Sequence, residues 1–120
     1  LLELLLPARR GRLDKQDVRW RPDAALTVVM ASRGYPGAYE KGLVITGLEK
    51  AAALPGITLF HAGTERHGQT VVAVGGRVLN VTATGATIAE AQKRAYEAAG
   101  LIHWTGAFFR KDIGWRALSR

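Results

Sequence analysis

The sequence predicts an α+β fold: a small antiparallel β-sheet or half-barrel covered by one main helix, with a second helix at the N-terminus. Three observations predict it. Short runs rich in Val, Ile, Thr and Phe at 25–31, 57–62, 70–74 and 77–83 are punctuated by glycine, which is the pattern of closely spaced strands. Ile88, Ala91, Ala95, Ala98 and Ile102 recur at helical spacing and form one apolar stripe. Gly75-Gly76 separates two of the runs and is a two-residue hairpin signal.

Taken in order, Leu1 to Leu6 is leucine-rich and helical, ending near Pro7 and Gly11, because proline cannot continue a helix interior. Residues 12–25 are polar, with Pro22, and form a linker or wrapping segment. Ala25 to Ala31 is a buried strand that ends in Arg33-Gly34-Tyr35-Pro36-Gly37, a tight turn. Leu43-Val44-Ile45 is a short strand, and Leu48 to Leu54 a short helix stopped by Pro55-Gly56. Strands at 57–62, 70–74 and 77–83 follow, with a further antiparallel link around His67-Gly68. Thr87 and Glu90 make a T-x-x-E capping box opening a helix over 88–99. Gly100 is placed to end it as a left-handed cap. Gln92, Lys93, Arg94 and Glu97 face water. Phe108-Phe109 joins the sheet.

Length and composition bound the class. The chain has 120 residues, of which 48% are hydrophobic and 22% charged, which fits one globular domain. No apolar run approaches the ~20 residues that span a bilayer. With no cysteine, disulfides and thiolate metal sites are excluded, and a cytoplasmic location is expected. His61, His67 and His103 have no spacing that suggests a shared metal. The chain begins inside the leucine segment without a methionine, so a piece of a longer protein is expected. The net charge of +7 attracts anions in general. Arg9, Arg10, Arg12, Lys15, Arg19 and Arg21 crowd one end, with Trp20 as the lone aromatic among them. Nucleic-acid binding calls for more interleaved aromatics, so a solvated connector is the better account.

The chain contains no P-loop, no G-x-S-x-G elbow and no H-E-x-x-H motif. Four segments carry potential chemistry, each with a plain structural alternative. Tyr35-Pro36-Gly37 is either an ordinary turn or a rigid substrate-mouth loop with Lys41 nearby. His61, with Gly63 and Thr64, is either a packed strand end or an anion-binding and proton-carrying group. Gly75-Gly76-Arg77 is either a hairpin with an exposed arginine or an anion site, where glycines admit close approach and arginine offers a planar fork. Arg110-Lys111 is either a surface pair tied to Asp112 and Trp115 or a phosphate clamp. Adjacent strand residues point to opposite faces, so one of the two cations reaches a given ligand. Ile113 and Trp115 are expected to anchor this motif in the core.

Taken together, Gly34-Tyr35-Pro36-Gly37, Phe60-His61-Ala62-Gly63-Thr64, Gly75 to Ala83, Glu90 to Tyr96 and Arg110-Lys111-Asp112-Ile113-Gly114 resemble, in order, the C-terminal domain of the phosphoribosylamine–glycine ligase family of the ATP-grasp superfamily. The resemblance runs from about Leu26 to the end. It implies that 1–25 is the helix end and linker from an upstream ATP-grasp domain and that 26–120 is the C-terminal domain. It implies a rudimentary module similar to the one that closes biotin carboxylase. It also implies a parent that joins glycine to 5-phosphoribosylamine with ATP and Mg2+ or Mn2+, through a glycyl phosphate, in purine biosynthesis. The residues for ATP and metal would lie upstream, so the 120 residues alone are expected to be inactive and to hold no cofactor. The partners implied are the upstream N-terminal and ATP-grasp domains and the two small substrates. By analogy with related enzymes, Gly75, Gly76 and Arg77, or Arg110 and Lys111, form the anion-binding set. No catalytic residue or metal ligand is expected here. Two rivals remain: a stand-alone basic module for nucleic acid, and a purely structural interface domain.

Overall fold

The structure, a computed structural model, describes residues 1–119. Its helices are α1 (Leu2–Arg9), α2 (Leu48–Ala52), α3 (Ile88–Leu101) and α4 (Trp115–Leu118). Its strands are β1 (Ala24–Ser32), β2 (Leu43–Ile45), β3 (Ile57–His61), β4 (Thr64–His67), β5 (Thr70–Ala73), β6 (Arg77–Gly85) and β7 (Ala107–Phe109). Two antiparallel sheets result: β3-β6-β1-β7, and the smaller β2-β5-β4. No described helix is long and apolar enough to cross a membrane.

The alternation of β1 orients the large sheet. Leu26, Val28 and Met30 are buried, whereas Ala25, Thr27 and Val29 are exposed. The inward set meets the alanine stripe of α3: Leu26, Val28 and Ala83 pack with Ala91 and Ala95. Small helix residues let α3 lie close to the sheet. Met30, Leu79, Val81, Ile45, Ala73, Ile102 and Trp104 form a second, larger cluster that joins the two sheets. The outer face of the large sheet carries no described helix. Its rows are Phe60–Asn80–Val29 and Thr58–Thr82–Thr27, read across β3, β6 and β1, with Thr27 and Thr82 hydroxyls 2.8 Å apart.

Four expectations need correction. Gly75-Gly76 is not a hairpin: β5 pairs with β2 and β4, while β6 pairs with β1 and β3. The favoured two-residue hairpins need left-handed residues, and neither glycine has positive φ. The glycines instead carry the chain from one sheet to the other. The hairpin lies one strand earlier, between β4 and β5, where Gly68 has φ +62° and His67 faces Thr70. Strand β4 itself, Thr-Glu-Arg-His, was not foreseen, because it is a polar edge strand without apolar alternation. Gly100 does not cap α3, which continues to Leu101; Ile102, 2% exposed, draws the chain onward into the core. Pro7 lies inside α1, whose residues are all unburied. Half of the expected capping box formed, with Glu90 N–H donating to Thr87 Oγ1 at 3.2 Å. The Glu90 carboxylate takes the Ala86 N–H rather than that of Thr87.

Candidate functional site

The predicted site residues fall in two places. The first is the seam where β1 ends, β6 begins and the Gly63 loop passes. Ser32, 2% exposed, donates its N–H to Gly76 O at 2.8 Å and its hydroxyl to Gly75 O at 3.3 Å. Tyr35 N–H donates to Ser32 O, and the Tyr35 ring covers Gly76 so closely that a side chain there would collide with it. The Tyr35–Pro36 peptide is cis. Gly63 O accepts from Val74 N–H at 2.8 Å and Gly75 N–H at 3.1 Å. The Gly75 N–H is thus committed to protein, and Gly63 and Gly75 are glycines because two backbones touch there. His61 Nδ1 lies 2.9 Å from Thr64 Oγ1.

Arg77 leaves this seam exposed, opposite Ala31, whose other neighbour is Phe108. Arg77, Ala31 and Phe108 form one cross-strand row, just past a bulge between Met30 and Ala31, with Ala31 buried between its two larger neighbours. Pro36, Gly37 and Lys41 are exposed in the loop leading to β2.

The second place is the turn after β7. Arg110 donates from Nε to Asp112 Oδ1 at 2.9 Å and from Nη2 to Oδ2 at 2.6 Å. This hydrogen bond is the main cause that raises the Arg110 pKa and lowers the Asp112 carboxyl below its ordinary range. The turn is also held from α3. Tyr96 OH donates to Arg110 O at 2.8 Å and accepts from Ile113 N–H at 3.0 Å. Gln92 Nε2 donates to Ile113 O at 2.7 Å. Ile113 packs on the β1–α3 core, as expected. Trp115 does not: it is 54% exposed, because the chain turns outward at Gly114 (φ +87°), and its ring lies 5.3 Å beneath the Arg116 guanidinium. Among the described residues neither the Lys111 nor the Arg77 side chain has a hydrogen-bond or ion-pair partner.

The two places are separated by two strand spacings and about two residues along the sheet, roughly 12 Å between backbones. The structure therefore gathers Tyr35, Gly63, Thr64, Gly75, Gly76 and Arg77, and sets Arg110 and Lys111 apart from them, in the turn that follows β7. Sequence reasoning missed Ser32, Gln92 and Tyr96. Gln92 and Tyr96 stand four residues apart and so share a helix face, which was the available signal. It also missed a hollow of about 1070 Å3 between β3, α2 and the small sheet, into which His61 faces beside Lys50, Arg66 and His103. Among the described residues no group of three or more His, Asp or Glu side chains is placed to hold a metal ion.

Residues 25–116 match the family model described as phosphoribosylglycinamide synthetase, C domain. The whole chain is 59% identical to part of the phosphoribosylamine–glycine ligase of Mesorhizobium japonicum, covering 28% of that protein. It is 53% identical over 98% of its length to the chloroplastic phosphoribosylamine–glycine ligase of Arabidopsis thaliana, covering 23% of it. The crystal structure of the phosphoribosylamine–glycine ligase from Thermotoga maritima superposes with a TM-score of 0.77 at 37% identity, over 92% of this chain and 26% of that one. The chain thus spans about a quarter of the length of the relatives it matches.

Proposed function

The chain belongs to the phosphoribosylglycinamide synthetase C-domain family, and on that premise we propose that it supplies acceptor-substrate binding and a domain interface to a ligase joining glycine to 5-phosphoribosylamine. The observation that carries the binding role is the contrast among cations. Arg110 is neutralised by a two-point contact with Asp112, whereas the side chains of Arg77, at the start of β6, and Lys111, in the turn after β7, have no partner among the described residues. Unpaired cations on fixed backbone suit a sugar phosphate, since charge-assisted hydrogen bonds are the strong ones. Gly75 and Gly76 serve by shaping the seam that presents Arg77.

ATP and its metal belong to the remainder of the parent. Among the described residues no group of three or more candidate metal ligands is placed together, and no step of the ligation is assigned to them. Residues 1–23 belong with the preceding domain, two residues short of the expected boundary at 25, because Ala24 and Ala25 already pair with Gly85 and Thr84 in the sheet. The family model begins at residue 25, whereas the relatives match from the start of the chain, and α1 buries nothing here. The outer sheet face, with Phe60, Val29 and Phe108 at least 40% exposed, is the surface on which the upstream domains seat.

Steady-state kinetics of the full-length ligase test this. Arg77→Ala and Lys111→Ala are expected to raise the KM for phosphoribosylamine by roughly tenfold to a hundredfold, the loss of one charged hydrogen bond. The KM values for ATP and glycine stay unchanged. Unchanged acceptor KM in both variants removes the binding role and leaves a scaffold.

A further inference from the structure

We infer that Tyr96, assisted by Gln92, is a positioning residue that presets the Arg110–Ile113 turn so that Lys111 is presented alone to the anionic substrate. This rests on the binding reading above and deepens it. Tyr96 uses both capacities of its hydroxyl on one turn, donating to Arg110 O at 2.8 Å and accepting from Ile113 N–H at 3.0 Å. One atom therefore fixes both ends of the four-residue segment that carries Lys111 at its middle. Gln92, one helical turn earlier, takes the remaining polar group of Ile113 at 2.7 Å. The Tyr96 ring is itself held, 5.9 Å from that of Phe109 on β7. Asp112 meanwhile removes the other cation of the motif from competition by binding Arg110 at two points.

The arrangement costs the turn its freedom before any ligand arrives. A clamp of this kind strengthens binding because little ordering remains to be done at the moment of association. A helix that needed only to pack on β7 would achieve it with phenylalanine at 96 and leucine at 92. The hydroxyl and the amide are spent on the turn.

The test uses the full-length ligase carrying this domain, with Tyr96→Phe, Gln92→Leu, Lys111→Ala and the double variant Tyr96→Phe/Lys111→Ala. Thermal unfolding is recorded for each. Tyr96→Phe keeps the ring contact but removes both hydroxyl hydrogen bonds, and is expected to raise the KM for phosphoribosylamine about threefold to tenfold, since only the part of their energy that orders the turn appears in binding, with kcat unchanged. Gln92→Leu moves KM in the same direction. The double variant has the KM of Lys111→Ala alone, because residues acting through one another are not additive. If Lys111→Ala raises KM while Tyr96→Phe and Gln92→Leu lower only Tm, the positioning role is wrong and the binding reading stands. If Lys111→Ala leaves KM unchanged, the binding reading fails and takes the positioning role with it.

Discussion

Adding one methyl group at Gly63 or at Gly100 should move stability in opposite directions. A Cβ on Gly63 would lie 2.5 Å from Gly75 Cα, 2.6 Å from Arg77 O and 2.8 Å from Gly75 N. All three are backbone atoms, so no rotamer change relieves the clash. Ordinary contact begins near 3.4 Å, so the Gly63 loop and the β5–β6 crossover must part by about 1 Å. Overpacking of this kind costs roughly 1–3 kcal/mol. Parting also stretches the Gly75 N–H bond to Gly63 O, already 3.1 Å long, at roughly 0.5–1.5 kcal/mol. The expected loss for Gly63→Ala is about 2–4 kcal/mol, a fall in Tm of at least about 8 °C for a domain of this size. Gly100 is helical, has no left-handed φ and, beyond its chain neighbours and its own helix backbone, has no atom within 4 Å of its Cβ position. Gly100→Ala should stabilise by about 0.5–1 kcal/mol through lower backbone entropy in the unfolded state. Urea denaturation of the 120-residue chain, followed by circular dichroism, reads both. A Gly63→Ala stability within about 0.5 kcal/mol of the parent would refute the close-approach argument.

Three further outcomes follow from the same contacts. Thr87→Ala should cost about 1 kcal/mol by removing the α3 cap; an unchanged urea midpoint means that the Glu90–Ala86 contact suffices. Replacing Leu2, Leu5 and Leu6 together with Gln should leave the midpoint within about 0.5 kcal/mol, since α1 has no buried residue; a larger loss contradicts the boundary near residue 25. Arg110→Gln should return the Asp112 carboxyl to a higher pKa, read by NMR titration of its side-chain carbon, and an unmoved midpoint denies the pair. The sign for stability follows from the lowered folded-state value. The pair's contribution is present above the unfolded carboxylate pKa and disappears as pH falls through the folded one. It is small, because both side chains are exposed.

What could be read from the sequence was local. The α3 helix was legible because its cap and its alanine stripe sit within one segment, and β1 and β6 because long apolar alternation admits few other readings. The crossover at Gly75-Gly76 was misread because glycine pairs signal a turn, while the sign of φ and the choice of partner strands are settled by the rest of the sheet. Nine-residue β6 satisfies both its edges with β1 and β3, leaving nothing for β5. In the site, the motif 110–116 and the glycines were visible as unusual strings. Their division of labour was not. That Arg110 is spent on Asp112, that Trp115 faces solvent, and that Tyr96 and Gln92 hold a turn 14 to 21 residues away are contacts through space, and residue spacing on one helix does not reveal its partner.

The measurement that bears most directly on the domain's role is calorimetric binding of glycinamide ribonucleotide, the sugar-phosphate product, to the full-length ligase and to its Arg77→Ala and Lys111→Ala variants. Each variant should lose about tenfold or more in affinity, with ATP affinity untouched. Equal product affinity in all three proteins would contradict the binding role and reduce this domain to scaffold.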